Sequence, residues 1–429
     1  MRYKVLGKTG LKVSVATVGT WAIGGSGWGA VDRQDSITAI RSMLDNDVNI
    51  VDTAPIYGCG YSEEVVGEAI KGYDREKLII STKCGLVWGE GAPKGGRDVS
   101  GKSIMKEIDD SLRRLGVDYI DIYHVHKPDY LGTPFEDTMS AMMKLKECGK
   151  IRHIGLSNFS IEQTEECMKY GDVEVIQPPF SMIDQRERSV LEFAKQHDIG
   201  VMTYGSLGAG MLTGTIRTLP DWDPKDMRFV FYDYFKEPKF SKAQKLLKSL
   251  DKIAEARNVP VAQVAVNWIT VHPLVDTALM GVRNKHEADE NCAATAWELT
   301  AEAVSYTHLD VYKRQVQGDL PGRAGKRRIG AGAGACRRAG AGGRAAPAAR
   351  DAERRAHDVP EYRQPRGHGA VHRPARVRQG EQRDRGHPRP PVSRAGRGTR
   401  RDVRRRGGDP GRRGGQQLFR RDQKGGVRG

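Results

Sequence analysis

Four residues of this chain could move a proton together. An apolar run ends in Asp52, and Tyr57 follows five residues later in Val51-Asp-Thr-Ala-Pro-Ile-Tyr-Gly58. A phenol is a weak acid with an ordinary pKa of about 10. It becomes a usable proton donor when a nearby cation stabilises its anion. The next apolar run, Leu-Ile-Ile-Ser-Thr-Lys83, ends in that cation, and Tyr-Ile-Asp-Ile-Tyr-His-Val-His126 ends in a histidine. A buried Lys83 ammonium needs a counter-charge, which Asp52 supplies. Lys83 is then expected to lower the pKa of Tyr57, while His126 hydrogen-bonds and polarises a substrate oxygen. Such a set protonates an oxygen on which negative charge develops. Each residue alone has a plain reading: Lys83 as a solvated charge, Asp52 as a turn cap, Tyr57 as loop packing. His124 and His153 read as structural histidines.

The elements that must position these groups alternate regularly. Arg2–Leu6 and Leu11–Ser14 read as a small β-hairpin. Strand candidates follow at Ala16–Gly19, Val48–Asp52, Leu78–Lys83, Tyr119–His124, Ile151–Ser157, Val175–Gln177, Gly200–Tyr204 and Asp276–Met280. Helix periodicity marks Arg33–Asn46, Ser62–Lys71, Ser103–Leu115, Pro134–Cys148, Ser160–Tyr170, Arg186–His197, Phe240–Asn258, Val261–Val271 and Lys285–Trp297. Strands with little polar alternation imply a parallel sheet covered on both faces. Eight such units predict an α/β fold of the (β/α)8 TIM-barrel type, with the hairpin as a plug at one end. In that fold the carboxyl ends of the strands build the active site. A doubly wound sheet competes, but it requires a phosphate loop. Gly25-Ser-Gly27-Trp-Gly-Ala30 matches that fingerprint loosely, and the polar Asp32-Arg-Gln-Asp-Ser36 intervenes before any helix.

The net charge of +16 suggests nucleic acid, yet the charge is not spread evenly. Residues 316–429 hold 29 Arg and 2 Lys against 10 carboxylates, a surplus of 21 that leaves residues 1–315 at −5. The first part is therefore an ordinary, mildly acidic globular composition. Six cysteines include no Cys-x-x-Cys pair, so they read as free thiols in a reducing compartment. No metal site is expected. No secretory leader or membrane-length apolar run is found, which makes a cytoplasmic protein the expectation.

With these residues in view, the chain resembles the aldo-keto reductase superfamily, in its bacterial branches, over residues 1 to about 303. The likeness rests on Asp52-Thr-Ala-x-x-Tyr57-Gly, Ser81-Thr-Lys83, His126-x-Pro-Asp129 and Gly149-Lys-Ile-Arg-x-Ile-Gly-Leu-Ser157-Asn158-Phe-Ser160. Gln177, Tyr204, Gly210-Met-Leu-Thr-Gly214 and Gly281-Val-Arg283 with Glu290-Asn291 extend it. The resemblance implies an NAD(P)H-dependent oxidoreductase that reduces an aldehyde or ketone, or runs in reverse on an alcohol. Tyr57 would be the general acid, tuned by Lys83 and Asp52, and His126 would orient the carbonyl. Ser157, Asn158 and Gln177 would hold the nicotinamide carboxamide, and Tyr204 would stack beneath its ring. Gly19, Thr20, Trp21, Gly205, Ser206 and Leu207 would line the cofactor groove, the last three around the pyrophosphate. Gly281, Arg283, Glu287, Glu290 and Asn291 would mark the adenosine end. Arg283 favours a ribose 2′-phosphate, hence NADPH before NADH, whereas a carboxylate at Glu287 opposes it. Trp21, Trp28 and Trp88 are expected to line the substrate pocket.

Past Glu302 the pattern stops. Residues 304–315 resemble an adaptor-like junction, and 316–429 are rich in Arg, Gly, Ala and Pro, too poor in apolar residues to bury a core. Near-absence of lysine beside abundant arginine suggests GC-rich DNA read in an unintended frame. A basic RNA-binding arm is the competing reading, but Tyr362 and Phe419 are the segment's sole aromatics for base stacking. The expected partner is a small carbonyl or alcohol, with no membrane and nucleic acid disfavoured. Monomer and homo-oligomer stay open. A barrel that binds the cofactor as a sensor, without turnover, is the alternative of another class.

Overall fold

The computed structural model describes residues 1–25, 31–89, 91–93, 95–222 and 226–300. Trp28, the junction at 304–315 and the basic segment 316–429 lie outside the described residues.

A hairpin of β1 (Tyr3–Val5) and β2 (Lys12–Ser14) opens the chain. There follow β3 (Ala16–Gly19), α1 (Arg33–Asp45), β4 (Ile50–Asp52), α2 (Tyr61–Ala69), β5 (Ile79–Cys84), α3 (Gly101–Leu115), β6 (Ile120–Val125) and α4 (Phe135–Glu147). The series continues with β7 (Ile151–Ser157), α5 (Ile161–Met168), β8 (Val175–Gln177), α6 (Arg188–Gln196) and β9 (Gly200–Thr203). It ends with α7 (Met227–Phe231), α8 (Lys239–Arg257), α9 (Val261–Val271), β10 (Thr277–Gly281) and α10 (Lys285–Ala293). Strands β3 to β10 are parallel in chain order, and β10 pairs with both β9 and β3. The sheet is a closed (β/α)8 barrel, as the strand–helix alternation predicts, and not an open doubly wound sheet. Asp32 caps α1 by accepting from the Asp35 amide at 2.9 Å. The polar stretch that spoils the glycine fingerprint is thus a helix start.

Side chains alternate across a strand, so one parity fills the barrel and the other meets the helices. Ile50, Ile79, Ile122, Val175, Met202 and Leu279 form the inner apolar cluster together with Leu6 and Val13 of the hairpin. Val51, Ile80, Tyr123, Val125, Ile154, Leu156 and Ile176 belong to the outer core. The hairpin enters at the amino ends of the strands: the Lys8 amide donates to the Asp198 carbonyl at 2.7 Å, two residues before β9. This is the plug expected from the sequence.

The same end carries a repeated device. Asp121 Oδ2 accepts from the Ile80 amide at 2.9 Å, Glu174 Oε2 from Ile154 at 3.0 Å, and Asp276 Oδ2 from Val201 at 2.9 Å. Asn49 Oδ1 does likewise for Ser14 at 2.8 Å. Each carboxylate also meets a cation: Arg75 at 2.7 Å, Lys146 at 2.7 Å and Lys195 at 2.6 Å. Buried amides at the strand starts are thereby satisfied. Polar groups at this rim serve stability, which leaves the opposite rim for chemistry.

Candidate active site

Two residues beyond the inner apolar layer, the same inward parity delivers Asp52, Ser81 and Gln177; further along it delivers Lys83, His126 and Ser157. Asp52 and Lys83 are each 1 % exposed, so neither charge can rely on water. The Lys83 ammonium donates to Asp52 Oδ2 at 2.6 Å and to the Thr53 carbonyl at 2.9 Å. Asp52 Oδ1 accepts from Ser81 Oγ at 2.7 Å and Gln177 Nε2 at 2.9 Å. Both partners of the ion pair are therefore hydrogen-bonded beyond each other, the condition under which a buried pair is tolerated.

Tyr57 lies over this pair, with Lys83 Nζ 5.2 Å from its ring centroid. The His126 ring meets it edge-on at 5.9 Å and 84°. Trp21 stacks on its other side at 6.1 Å, and Phe231 of α7 packs edge-on against Trp21 at 5.4 Å. The Tyr57 loop is pressed close to the loop after β3, where a Cβ on Gly24 would stand 2.6 Å from the Tyr57 carbonyl carbon. The structure thus brings Asp52, Tyr57, Lys83, His126 and Trp21 together. Phe231 escaped the sequence reading because a five-residue helix in a long loop carries no periodic signal.

The electrostatics correct one expectation. Lys83 was to lower the Tyr57 pKa, yet the phenol is pushed well above its ordinary value, by burial first and by the Asp52 charge second. Lys83 is spent on Asp52, and its own pKa is lowered by burial. Tyr57 is therefore a firmly protonated donor. Burial, then Lys83, Lys127, His124 and Arg97, hold His126 well below the usual imidazole value, so it is neutral.

Around this centre runs a polar ledge. Ser157 Oγ donates to the Gln177 carbonyl at 2.8 Å, and Asn158 Nδ2 to the His126 carbonyl at 3.0 Å. The Tyr204 hydroxyl donates to Asn158 Oδ1 at 2.8 Å. Thr20 Oγ1 donates to the Asp52 carbonyl at 3.0 Å, next to Gly19 at the end of β3. A nicotinamide dinucleotide fits this rim on two observations. The Ser206 hydroxyl is buried without a partner among the described residues, a donor left for a ligand. Cβ atoms on Gly205 and Gly281 would meet nothing within 4 Å, so the backbone there is open to a ligand. Leu207 packs its side chain on the barrel core.

At the far end of the rim, Arg283 is held by Glu287. Its Nη2 and Nε donate to Glu287 Oε1 at 2.7 and 3.2 Å, while its amide donates to Oε2 at 2.8 Å. Asn291 Nδ2 donates to the Gly281 carbonyl at 3.4 Å, and Glu290 stands partly buried on α10. Trp88 is half-buried after β5, and no ring contact among the described residues joins it to Tyr57.

The aldo/keto reductase family model matches residues 17–308. The chain belongs to the aldo/keto reductase family. It is 40% identical over 306 residues to the aldo-keto reductase YhdN of Bacillus subtilis, covering 70% of this chain and 91% of that one. It is 35% identical over 303 residues to the NADH-specific methylglyoxal reductase of Escherichia coli, covering 67% and 92%. Among solved structures, the glycerol dehydrogenase of Gluconobacter oxydans superposes with a TM-score of 0.66 at 33% identity, over 76% of this chain and 98% of that one. The reductase is an NAD(P)H-dependent enzyme of carbonyl reduction acting on small molecules. Among its described residues no helix is long and apolar enough to cross a membrane, and no group of His, Cys, Asp and Glu could hold a metal ion.

Proposed function

We propose that the reductase protonates a small aldehyde or ketone from Tyr57, with Asp52, Lys83 and His126 as its supporting groups. The observation that carries this is the Lys83–Asp52 pair, buried beneath the phenol ring and further hydrogen-bonded to Thr53, Ser81 and Gln177. A reduced nicotinamide, when bound, would supply the hydride that the carbonyl carbon needs. Neutral His126 hydrogen-bonds the carbonyl oxygen and fixes it against Tyr57. As that oxygen gains the electron pair, Tyr57 gives up its phenolic proton and becomes a phenolate, later reprotonated from solvent. An alkoxide is a stronger base than any phenolate, so even an elevated phenol pKa leaves the transfer downhill. With Lys83 cancelled by Asp52, the buried pair serves to hold the phenol ring in place, and Tyr57 keeps its proton until the stronger base forms. Ser157, Asn158, Gln177 and Tyr204 would hold the nicotinamide end, Gly205 to Leu207 the pyrophosphate, and Arg283, Glu287, Glu290 and Asn291 the adenosine.

Cofactor choice follows from Arg283. A 2′-phosphate must displace Glu287 from the guanidinium before it can bind there. NADH is therefore used at least as well as NADPH, which reverses the preference that Arg283 alone suggests. The resemblance to an NADH-specific relative supports the same reading.

The test is loss of reduced-nicotinamide absorbance with a panel of simple aldehydes, comparing the native enzyme with Tyr57→Phe. A loss of about 10²–10⁴-fold in kcat is expected for removing a positioned general acid. Full activity in Tyr57→Phe overturns the assignment, and cofactor binding without turnover of any carbonyl would favour a sensor.

A further inference from the structure

Two cations, Lys127 and Arg97, stand near His126 with no carboxylate in ion-pair range among the described residues. The His126 amide donates to the Cys84 carbonyl at 2.9 Å, which fixes the strand end, and Lys127 is the next residue, half-buried. Among the described residues its ammonium has neither a hydrogen bond nor a carboxylate in ion-pair range. Beside it, Arg97 from the loop after β5 donates to the Pro128 carbonyl at 3.3 Å and lies 4.0 Å over the Tyr130 ring. The described carboxylates nearby are turned to the loop backbone. Asp129 accepts from the amides of Val99, Leu131 and Thr133 and from the Thr133 hydroxyl; Asp98 accepts from the Ser100 amide.

Half-burying an ammonium beside a guanidinium costs free energy that no ion pair among the described residues offsets. Burial, followed by Arg97, brings the Lys127 pKa down to about 8, and both cations are among the charges that keep His126 neutral. Lys83 does not share this need, because Asp52 cancels it. The mouth therefore carries two positive charges next to the group that receives the carbonyl.

We propose that the preferred substrate is an anionic carbonyl compound, with a carboxylate or phosphate a few carbons from the aldehyde or ketone, received by Lys127 and Arg97. The anion supplies the missing counter-charge and anchors the molecule, so that the carbonyl is presented to Tyr57 and His126. This deepens the carbonyl-reduction reading and rests on it.

The test pairs substrates matched except for charge: succinic semialdehyde against butanal, and glyceraldehyde 3-phosphate against glyceraldehyde. In at least one pair kcat/KM is expected to favour the anion by tenfold or more, and the favoured pair tells carboxylate from phosphate. That advantage should shrink as ionic strength rises, because exposed charges are screened. In Lys127→Gln the anionic-to-neutral ratio should fall at least tenfold, and Lys127→Arg should restore it. Equal kcat/KM within both pairs, or a Lys127→Gln variant in which both members fall together, overturns the proposal. If none of the four aldehydes is reduced, the underlying reading fails instead. A variant that does not fold is recognised by its circular dichroism, and the salt dependence of the native enzyme then decides.

Discussion

Gln177 Nε2 donates to Asp52 Oδ1 at 2.9 Å, joining residues that lie 125 positions apart. One belongs to the ledge proposed to hold the nicotinamide, the other to the proton-transfer centre. The carboxylate that neutralises Lys83 is thus itself oriented by a residue of that proposed ledge.

Gln177→Leu should disturb both halves. Asp52 Oδ1 keeps Ser81 as its remaining side-chain donor, and a buried acceptor short of a partner costs about 1–3 kcal/mol. Cofactor titration should show weaker binding, and saturating steady-state kinetics should show kcat down about tenfold or more. A change confined to the cofactor Kd would mean that the Asp52 contact is incidental.

Glu287→Gln should favour NADPH. Arg283 is 49% and Glu287 27% exposed at the side chain, so this ion pair contributes no more than about 1 kcal/mol. Freeing Arg283 and removing a negative charge should raise the NADPH-to-NADH ratio of kcat/KM about tenfold, measured by initial rates with either cofactor. An unchanged ratio would show that the 2′-position does not reach this pair.

The two directions of reaction should differ in pH response. Reduction needs Tyr57 protonated, and its pKa is raised, so the proton is retained through the neutral range and beyond pH 10. Alcohol oxidation needs the phenolate, so its rate should climb steadily with pH and reach no plateau below about 10. His126 is neutral well below pH 6.5, and reduction should show no step near that value. Profiles of kcat/KM from pH 5.5 to 10 in both directions check this.

Gly155 is the inward residue of β7 opposite His124, and a Cβ there would stand 2.2 Å from His124 Nδ1. His124 is wholly buried with neither ring nitrogen hydrogen-bonded among the described residues, and burial holds its pKa down at about 3. Gly155→Ala should destabilise by about 1–3 kcal/mol, the usual cost of overpacking. His124→Ala in the same chain should recover much of that in urea unfolding. Additive losses would show that the two residues do not compete for the same space.

Much of this was written in the sequence. Apolar runs ending in Asp52, Lys83, His126, Ser157, Gln177 and Tyr204 put these residues at one rim, and the barrel gives Asp52, Lys83, His126, Gln177 and Tyr204 the inward parity of Ile50, Ile79, Ile122, Val175 and Met202. Parity is local, a property of the extended backbone, and needs no tertiary knowledge. The hairpin was legible as a plug, and the barrel buries its Leu6 and Val13. Tertiary structure alone decided what depends on distance and dielectric. Lys83 turns out to be committed to Asp52, so burial raises the Tyr57 pKa where the sequence led us to expect a fall. Glu287, already an opposing charge in the sequence, closes on Arg283 as an ion pair. Phe231 reaches Trp21 from a loop with no periodicity, and Arg97 comes to stand beside Lys127 across two loops. Charges act through space, and a burial penalty exists only once the whole barrel has excluded water around them.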